Sequence, residues 1–293
     1  MAHKSGFVNI IGHPNVGKST LMNMLMGEKL SIITPKAQTT RHRILGIVNG
    51  EDYQIVYSDT PGIVKPHYKL HESMMKFVLT ALQDADVFIY MTEVGENSFD
   101  EEVITKIKAS GKPLLFLINK VDTISPAEME AKIKFWQEKF TEATIIPISA
   151  KLNFNTDKIT KEVLKLLPEN EPYFPKDDEL SDRPLRFFIS EMIREKIFLL
   201  YQQEIPYSAE VAVDSYKEKP EIVVISATIF VERDTQKAII LGHKGEAIKK
   251  LGTLARKDIE AFIDKKVYLE LSLKVSSDWR EDANQLKRFG YEF

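Results

Sequence analysis

The chain has 293 residues, a formal net charge of −3 and no cysteine, with 43% hydrophobic and 28% charged residues. This ordinary globular composition excludes a disordered or fibrous chain. The lack of cysteine excludes a disulfide scaffold, a cysteine-ligated zinc site and a thiol nucleophile. The length suggests about two domains, and the mildly acidic balance gives no whole-chain hint of a nucleic-acid partner.

The first apolar run, Phe7–Ile11, is too short for a signal segment, and no stretch reaches the roughly 18–20 apolar residues of a membrane span. A cytoplasmic, monomeric protein is expected, with peripheral contact to the inner face of the membrane left open. Strand-like runs follow at Phe7–Ile11, Ile44–Val48, Gln54–Ser58, Val87–Met91, Leu114–Ile118 and Thr144–Ile148. Helical patterns lie between them at Lys18–Met26, Tyr68–Gln83, Asp100–Ala109 and Ala127–Lys139, the last opened by Ser125-Pro126. Strands alternating with helices predict a doubly wound, mostly parallel α/β sheet over residues 1–168.

Pro168, Pro172, Pro175 and Pro184 then punctuate an acidic stretch, read as a linker over 169–184. The remainder, 185–293, reads as an α+β unit. A long helix at Leu185–Gln203 precedes strands at Ala209–Lys217 and Glu221–Glu232. A helix at Glu246–Ile263 and a strand at Lys266–Val275 follow.

Gly12-His13-Pro14-Asn15-Val16-Gly17-Lys18-Ser19 matches the phosphate-loop pattern and sits between a strand and a helix start. Its backbone amides and the helix N-terminus suit a triphosphate. Thr20 continues the loop into the helix. Lys18 is assigned to the β- and γ-phosphates and Ser19 to Mg²⁺.

The loop alone leaves the base open; three further motifs, each after a predicted strand and in order, select guanine. Asp59-Thr60-Pro61-Gly62 offers a carboxylate to Mg²⁺ through water and the Gly62 amide to the γ-phosphate. Asn119-Lys120-Val121-Asp122 places a carboxylate against the N1–H and 2-amino donors of guanine. Ser149-Ala150-Lys151 offers a backbone amide to guanine O6. All lie at strand C-termini, where open α/β sheets bind ligands. The polar stretch Ser31–Arg43 reads as a loop that orders around the γ-phosphate and the metal. Thr39 or Thr40 would be the second hydroxyl ligand; the similarity of Thr39-Thr40-Arg41 to GTPases with a TTR sequence implies Thr40. Arg41 and Arg43 are nearby candidates for an arginine finger.

Residues 5–168 thus resemble a translation-factor-type small GTPase domain. That resemblance implies catalysis by Lys18, Gly62, Thr40 and Asn15, the last through K⁺ near the phosphates. Ile63 occupies the place where Ras-like enzymes carry a water-orienting glutamine.

In the second domain, Gly242-His243-Lys244-Gly245 stands between an apolar run and an amphipathic helix. Between His243 and Lys257 five Lys/Arg face one acid. Gly-x-x-Gly loops in KH domains clamp about four nucleotides, which assigns Gly242, His243, Lys244, Gly245, Lys249, Lys250 and Arg256 to RNA. The aromatic tail (Trp279, Phe289, Tyr291, Phe293) is expected to pack, with base stacking as the alternative.

QTTRHR at 38–43, DTPGI at 59–63, REK at 194–196, IPYS at 205–208 and the 242–252 segment resemble the bacterial Era family across nearly the whole chain. The resemblance implies a P-loop GTPase domain followed by a type II KH domain. It also implies binding of GTP and GDP and of small-subunit ribosomal RNA near its 3′ end, and a role in 30S maturation. Competing readings are a signalling or membrane GTPase whose second domain binds protein, and a metabolic kinase, which needs no guanine-reading carboxylate.

Overall fold

The computed structural model describes residues 3–176 and 179–291. The chain divides into two units. The first holds the chain up to Ser31, Thr40–Lys65 and Met74–Asp182; the second holds Ile32–Thr39, Pro66–Ser73 and everything from Arg183 on. Two excursions of the N-terminal half therefore belong to the second unit, which no periodicity could reveal.

The N-terminal elements run β1 (Lys4–Ile11), α1 (Lys18–Met26), β2 (Ile44–Asn49), β3 (Tyr53–Asp59), α2 (Lys69–Asp84), β4 (Val87–Glu93), α3 (Glu101–Ala109), β5 (Leu114–Asn119), α4 (Pro126–Lys139), β6 (Thr144–Pro147) and α5 (Thr156–Leu166). The sheet order is β2-β3-β1-β4-β5-β6. Every pair is parallel except β2–β3, because the three residues between those strands allow a hairpin but not a crossover. β4 is buried from Val87 to Thr92, as a strand covered on both faces must be. Phe88, Tyr90, Phe116, Trp136 and Phe140 pack one side of it. Ser125 and Glu128 cap α4 reciprocally, with Pro126 at its first position. α5 is absent from the sequence reading because its buried Ile159 and Val163 are scattered among lysines.

The proline-rich stretch is no free connector. Asn170 donates to His3 O, Phe174 and Gln54 exchange two hydrogen bonds of 2.9 Å, and Leu180 O accepts from Ile47 N at 2.9 Å. The last bond blunts the open edge of β2.

The second unit contains α6 (Leu185–Leu200), α7 (Ile205–Ser208), β7 (Glu210–Glu218), β8 (Val223–Val231), α8 (Asp234–Leu241), α9 (Glu246–Ile263), β9 (Val267–Val275) and α10 (Ala283–Arg288). Its sheet is β7-β8-β9, antiparallel then parallel. Ile189, Ile193 and Ile197 of α6 and Leu251, Ala255 and Ile259 of α9, each spaced by four, share one core with Ile225, Ala227 and Ile229 of β8. The apolar run before Gly242 proves to be the last turn of α8, a helix too short to show a period. Trp279 is buried and donates to Ser208 O, and the Tyr291 hydroxyl donates to Glu210, so these two aromatics pack rather than stack on bases. Phe289 touches Phe230 and Trp279; Phe293 lies outside the described residues. Among the described residues no helix is long and apolar enough to cross a membrane.

Candidate nucleotide site and nucleic-acid surface

The phosphate loop joins β1 to α1 under tight packing. A Cβ on Gly17, whose φ is +105°, would stand 2.3 Å from Asn119 Nδ2, and one on Gly12 would stand 2.2 Å from Met91 O. Asn15 stands exposed at the loop apex with a φ of 64°. Lys18 is buried and donates to Gly12 O at 3.0 Å and His13 O at 2.8 Å. Burial pulls its ammonium down to about 8, against the opposing pull of Asp59 and Glu96; phosphate oxygens would favour the charged form. His13 Nδ1 lies 3.0 Å from Glu96 Oε1, and Thr92 also donates to Glu96. The hydrogen bond to Glu96 raises the His13 pKa above its ordinary value. This brace on the loop carries no sequence signal, since its partners lie 83 positions apart.

Ser19 Oγ donates to Asp59 Oδ2 at 2.7 Å and lies 2.8 Å from Thr40 Oγ1. Asp59 is fully buried, which raises its carboxyl above the usual range, and its Oδ1 is buried with no hydrogen-bond partner. Two hydroxyls around a carboxylate with an unused oxygen fit a hard, oxygen-seeking divalent cation such as Mg²⁺. Thr39 is turned elsewhere: its hydroxyl donates to Lys36 O at 2.7 Å and meets Thr34 Oγ1.

The turn after β3 lies against the phosphate loop. Ile63 N donates to Gly12 O at 3.2 Å, and a Cβ on Gly62 would stand 2.8 Å from Pro14. The Ile63 side chain joins the apolar cluster of Ile11, Val78 and Phe88. Glutamine there would bury an amide among hydrocarbon, at a cost of roughly 1–3 kcal/mol. Ile63→Gln is therefore expected to lower the melting temperature without raising turnover, checked by calorimetry and phosphate release. Arg43 is committed to Asp84, Ser58 and Asn9, and Arg41 is buried; neither stands as a mobile finger.

Asn119 fastens the base site, donating to Val16 O at 2.7 Å and accepting from Ala150 N at 3.0 Å. The Ala150 amide is thus held by Asn119, which ties this loop to the base-site loop. Lys120 takes a left-handed conformation and pairs with Glu93. Asp122 is exposed in a hollow it shares with Ser149, Leu152 and Phe154; Leu152 and Phe154 are absent from the sequence reading. Lys151 is exposed beside it, and Thr20 lies in the first turn of α1.

In the second unit, Gly242 and Gly245 have φ of 73° and 80°, and Lys244 between them 50°. His243, Lys244, Lys249, Lys250 and Arg256 are exposed. Lys249 and Arg256 line a groove together with Ile248 and Gly252 of α9 and with Tyr268 and Leu271 of β9. Tyr268 is 58% exposed on this edge strand. Nothing in the sequence separates it from the other alternating residues of β9.

Two family descriptions match the chain: "50S ribosome-binding GTPase" over residues 7–120 and "KH domain" over 204–280. GTPase Era of Geotalea daltonii is 43% identical over 98% of this chain and 98% of its own. The chain belongs to the Era family of GTPases. The chloroplastic GTPase ERA1 of Zea mays is 47% identical over 99% of this chain and 71% of its own length. A crystal structure of Era with MgGDPNP and nucleotides 1506–1542 of 16S ribosomal RNA is 42% identical, with a TM-score of 0.94 over 99% of this chain and 100% of that one. A variant of Aquifex aeolicus Era bound to GDP·AlF4⁻ gives 0.95 at the same identity, covering 99% and 100%. This Era-family chain is accordingly a GTP hydrolase, a P-loop GTPase domain followed by a KH domain.

Proposed function

We propose that this GTPase binds small-subunit ribosomal RNA near its 3′ end and uses GTP binding and hydrolysis to time a step in 30S maturation. One observation carries the reading: a complete guanine-nucleotide site and a fully formed Gly-x-x-Gly loop with exposed basic flanks stand in the same chain. The Era structure holding a 16S fragment supports the choice of RNA.

Ser19, Thr40 and, through water, Asp59 would hold Mg²⁺, which when bound neutralises charge on the β- and γ-phosphates. Lys18 and the phosphate-loop amides offset charge developing on the transferred phosphoryl group, by preorganised electrostatics rather than covalent chemistry. Gly62 brings its amide to the γ-phosphate. With Ile63 buried, water is positioned by another group, and Asn15 recruits K⁺ beside the phosphates. The protein acts as a cytoplasmic monomer, with peripheral membrane contact left open.

GTP turnover measured with and without 30S particles, in K⁺ and in Na⁺, tests this reading. Turnover should respond to the particles and be faster in K⁺. Equal rates in both salts remove the K⁺ role, and no RNA binding in either nucleotide state removes the ribosomal role in favour of a protein-binding second domain.

A further inference from the structure

The second unit includes a short piece of the N-terminal half, Ile32–Thr39, and the contacts that hold it there are specific. Arg194 of α6 is fully buried. Its Nε and Nη2 donate to the Glu191 carboxylate at 2.7 and 2.5 Å, and Nη2 also donates to Thr39 O at 2.5 Å. Lys36 Nζ donates to Phe198 O at 2.6 Å and to Tyr201 O, closing the open C-terminal carbonyls of the same helix. Ile33 N donates to Glu195 at 3.2 Å. The next residue, Thr40, lies 2.8 Å from Ser19, which donates to Asp59.

We infer that Arg194 is a positioning residue for the GTPase centre: by gripping the Thr39 carbonyl it fixes the peptide that presents the Thr40 hydroxyl, with Lys36 as a second tether. The inference rests on the assignment of Thr40 to the metal. The planar fork lets one buried guanidinium engage a carboxylate and a main-chain carbonyl together through Nε and Nη2, while its Nη1 is buried without a partner. Loss of the grip leaves Thr40 attached to an untethered loop, so the metal-dependent steps weaken while recognition of the guanine base, made by other loops, does not change.

The test compares wild type with Glu191→Leu/Arg194→Met, which removes the ion pair as a whole, and with Lys36→Met on the accessible loop. In the presence of Mg²⁺ and a non-hydrolysable GTP analogue, amide exchange across residues 33–41 should accelerate at least about tenfold in both variants. kcat should fall by a similar factor, and GDP affinity measured without Mg²⁺ should stay within about twofold. Unchanged exchange and unchanged kcat in Lys36→Met and in a folded double variant would overturn the inference; if the double variant does not fold, the Lys36→Met result decides alone. Thr40→Ala separates the two readings: if it retains wild-type Mg²⁺ dependence of nucleotide binding and hydrolysis, the metal assignment itself fails. If it loses that dependence while the other variants behave as wild type, only the role of Arg194 fails.

Discussion

Asp122→Asn is expected to exchange guanine for xanthine preference. The Asp122 carboxylate is exposed at the rim of its hollow, so the substitution leaves the fold alone. An ionised carboxylate accepts from both N1–H and the 2-amino group; an amide offers one acceptor and one donor, which mismatches guanine and matches the 2-oxo group of xanthine. Each charged hydrogen bond contributes about 1.5–3 kcal/mol, and a donor left facing a donor costs more, so GTP affinity should fall roughly 10²–10³-fold. XTP should regain most of that loss, and ATP should remain excluded from both proteins. Competition binding against a fluorescent guanine nucleotide reads the change. Retained GTP preference would mean that another group reads the base, and the hollow beside Leu152 and Phe154 would then be a structural feature only.

The nucleotide motifs were legible because phosphate and guanine dictate residue types at strand ends, where backbone geometry is fixed. Gly17 shows the limit of that legibility. The motif demands glycine for the phosphate, yet the structure adds a second demand, the 2.3 Å clearance to Asn119, that comes from a loop about a hundred residues away. Long-range pairs leave no local trace: His13 meets Glu96, and Arg194 meets Thr39 across 155 positions. Arg194 lies within a run that could be matched to a family, but its chemistry depends on a carbonyl that any residue could supply. The same blindness hid the course of residues 169–182, whose prolines signal only that no helix forms there. Net charge misled in the opposite direction. A value of −3 speaks against nucleic acid when averaged over the chain, whereas the exposed cations that matter crowd one loop and about two turns of α9.

That crowding can be tested against salt. Replacing Lys244, Lys249 and Lys250 by alanine removes three exposed cations without touching the buried stripe of Leu251, Ala255 and Ile259. For single strands, each neutralised phosphate contributes about 0.7 to the slope of log K against log salt. Losing three contacts should therefore flatten the slope by about 2 and weaken binding about 100-fold at 0.1 M salt. Gly242→Asp acts by a different route. The glycine sits at a φ of 73°, and a Cβ there would meet Ala247 Cβ at 2.5 Å, so the loop must open as well as acquire a repelling charge. Its loss of binding should be at least as large, but its melting temperature should also drop, which the alanine triple avoids. GTP turnover without RNA should be unchanged in the triple variant, since none of the three residues belongs to the nucleotide site. Filter binding with a single-stranded 3′ fragment of small-subunit rRNA, run as a salt series, measures affinity and slope together. An unchanged slope in the triple variant would move the RNA contact away from the Gly-x-x-Gly loop, and an unchanged affinity in both variants would leave the second unit without a nucleic-acid role.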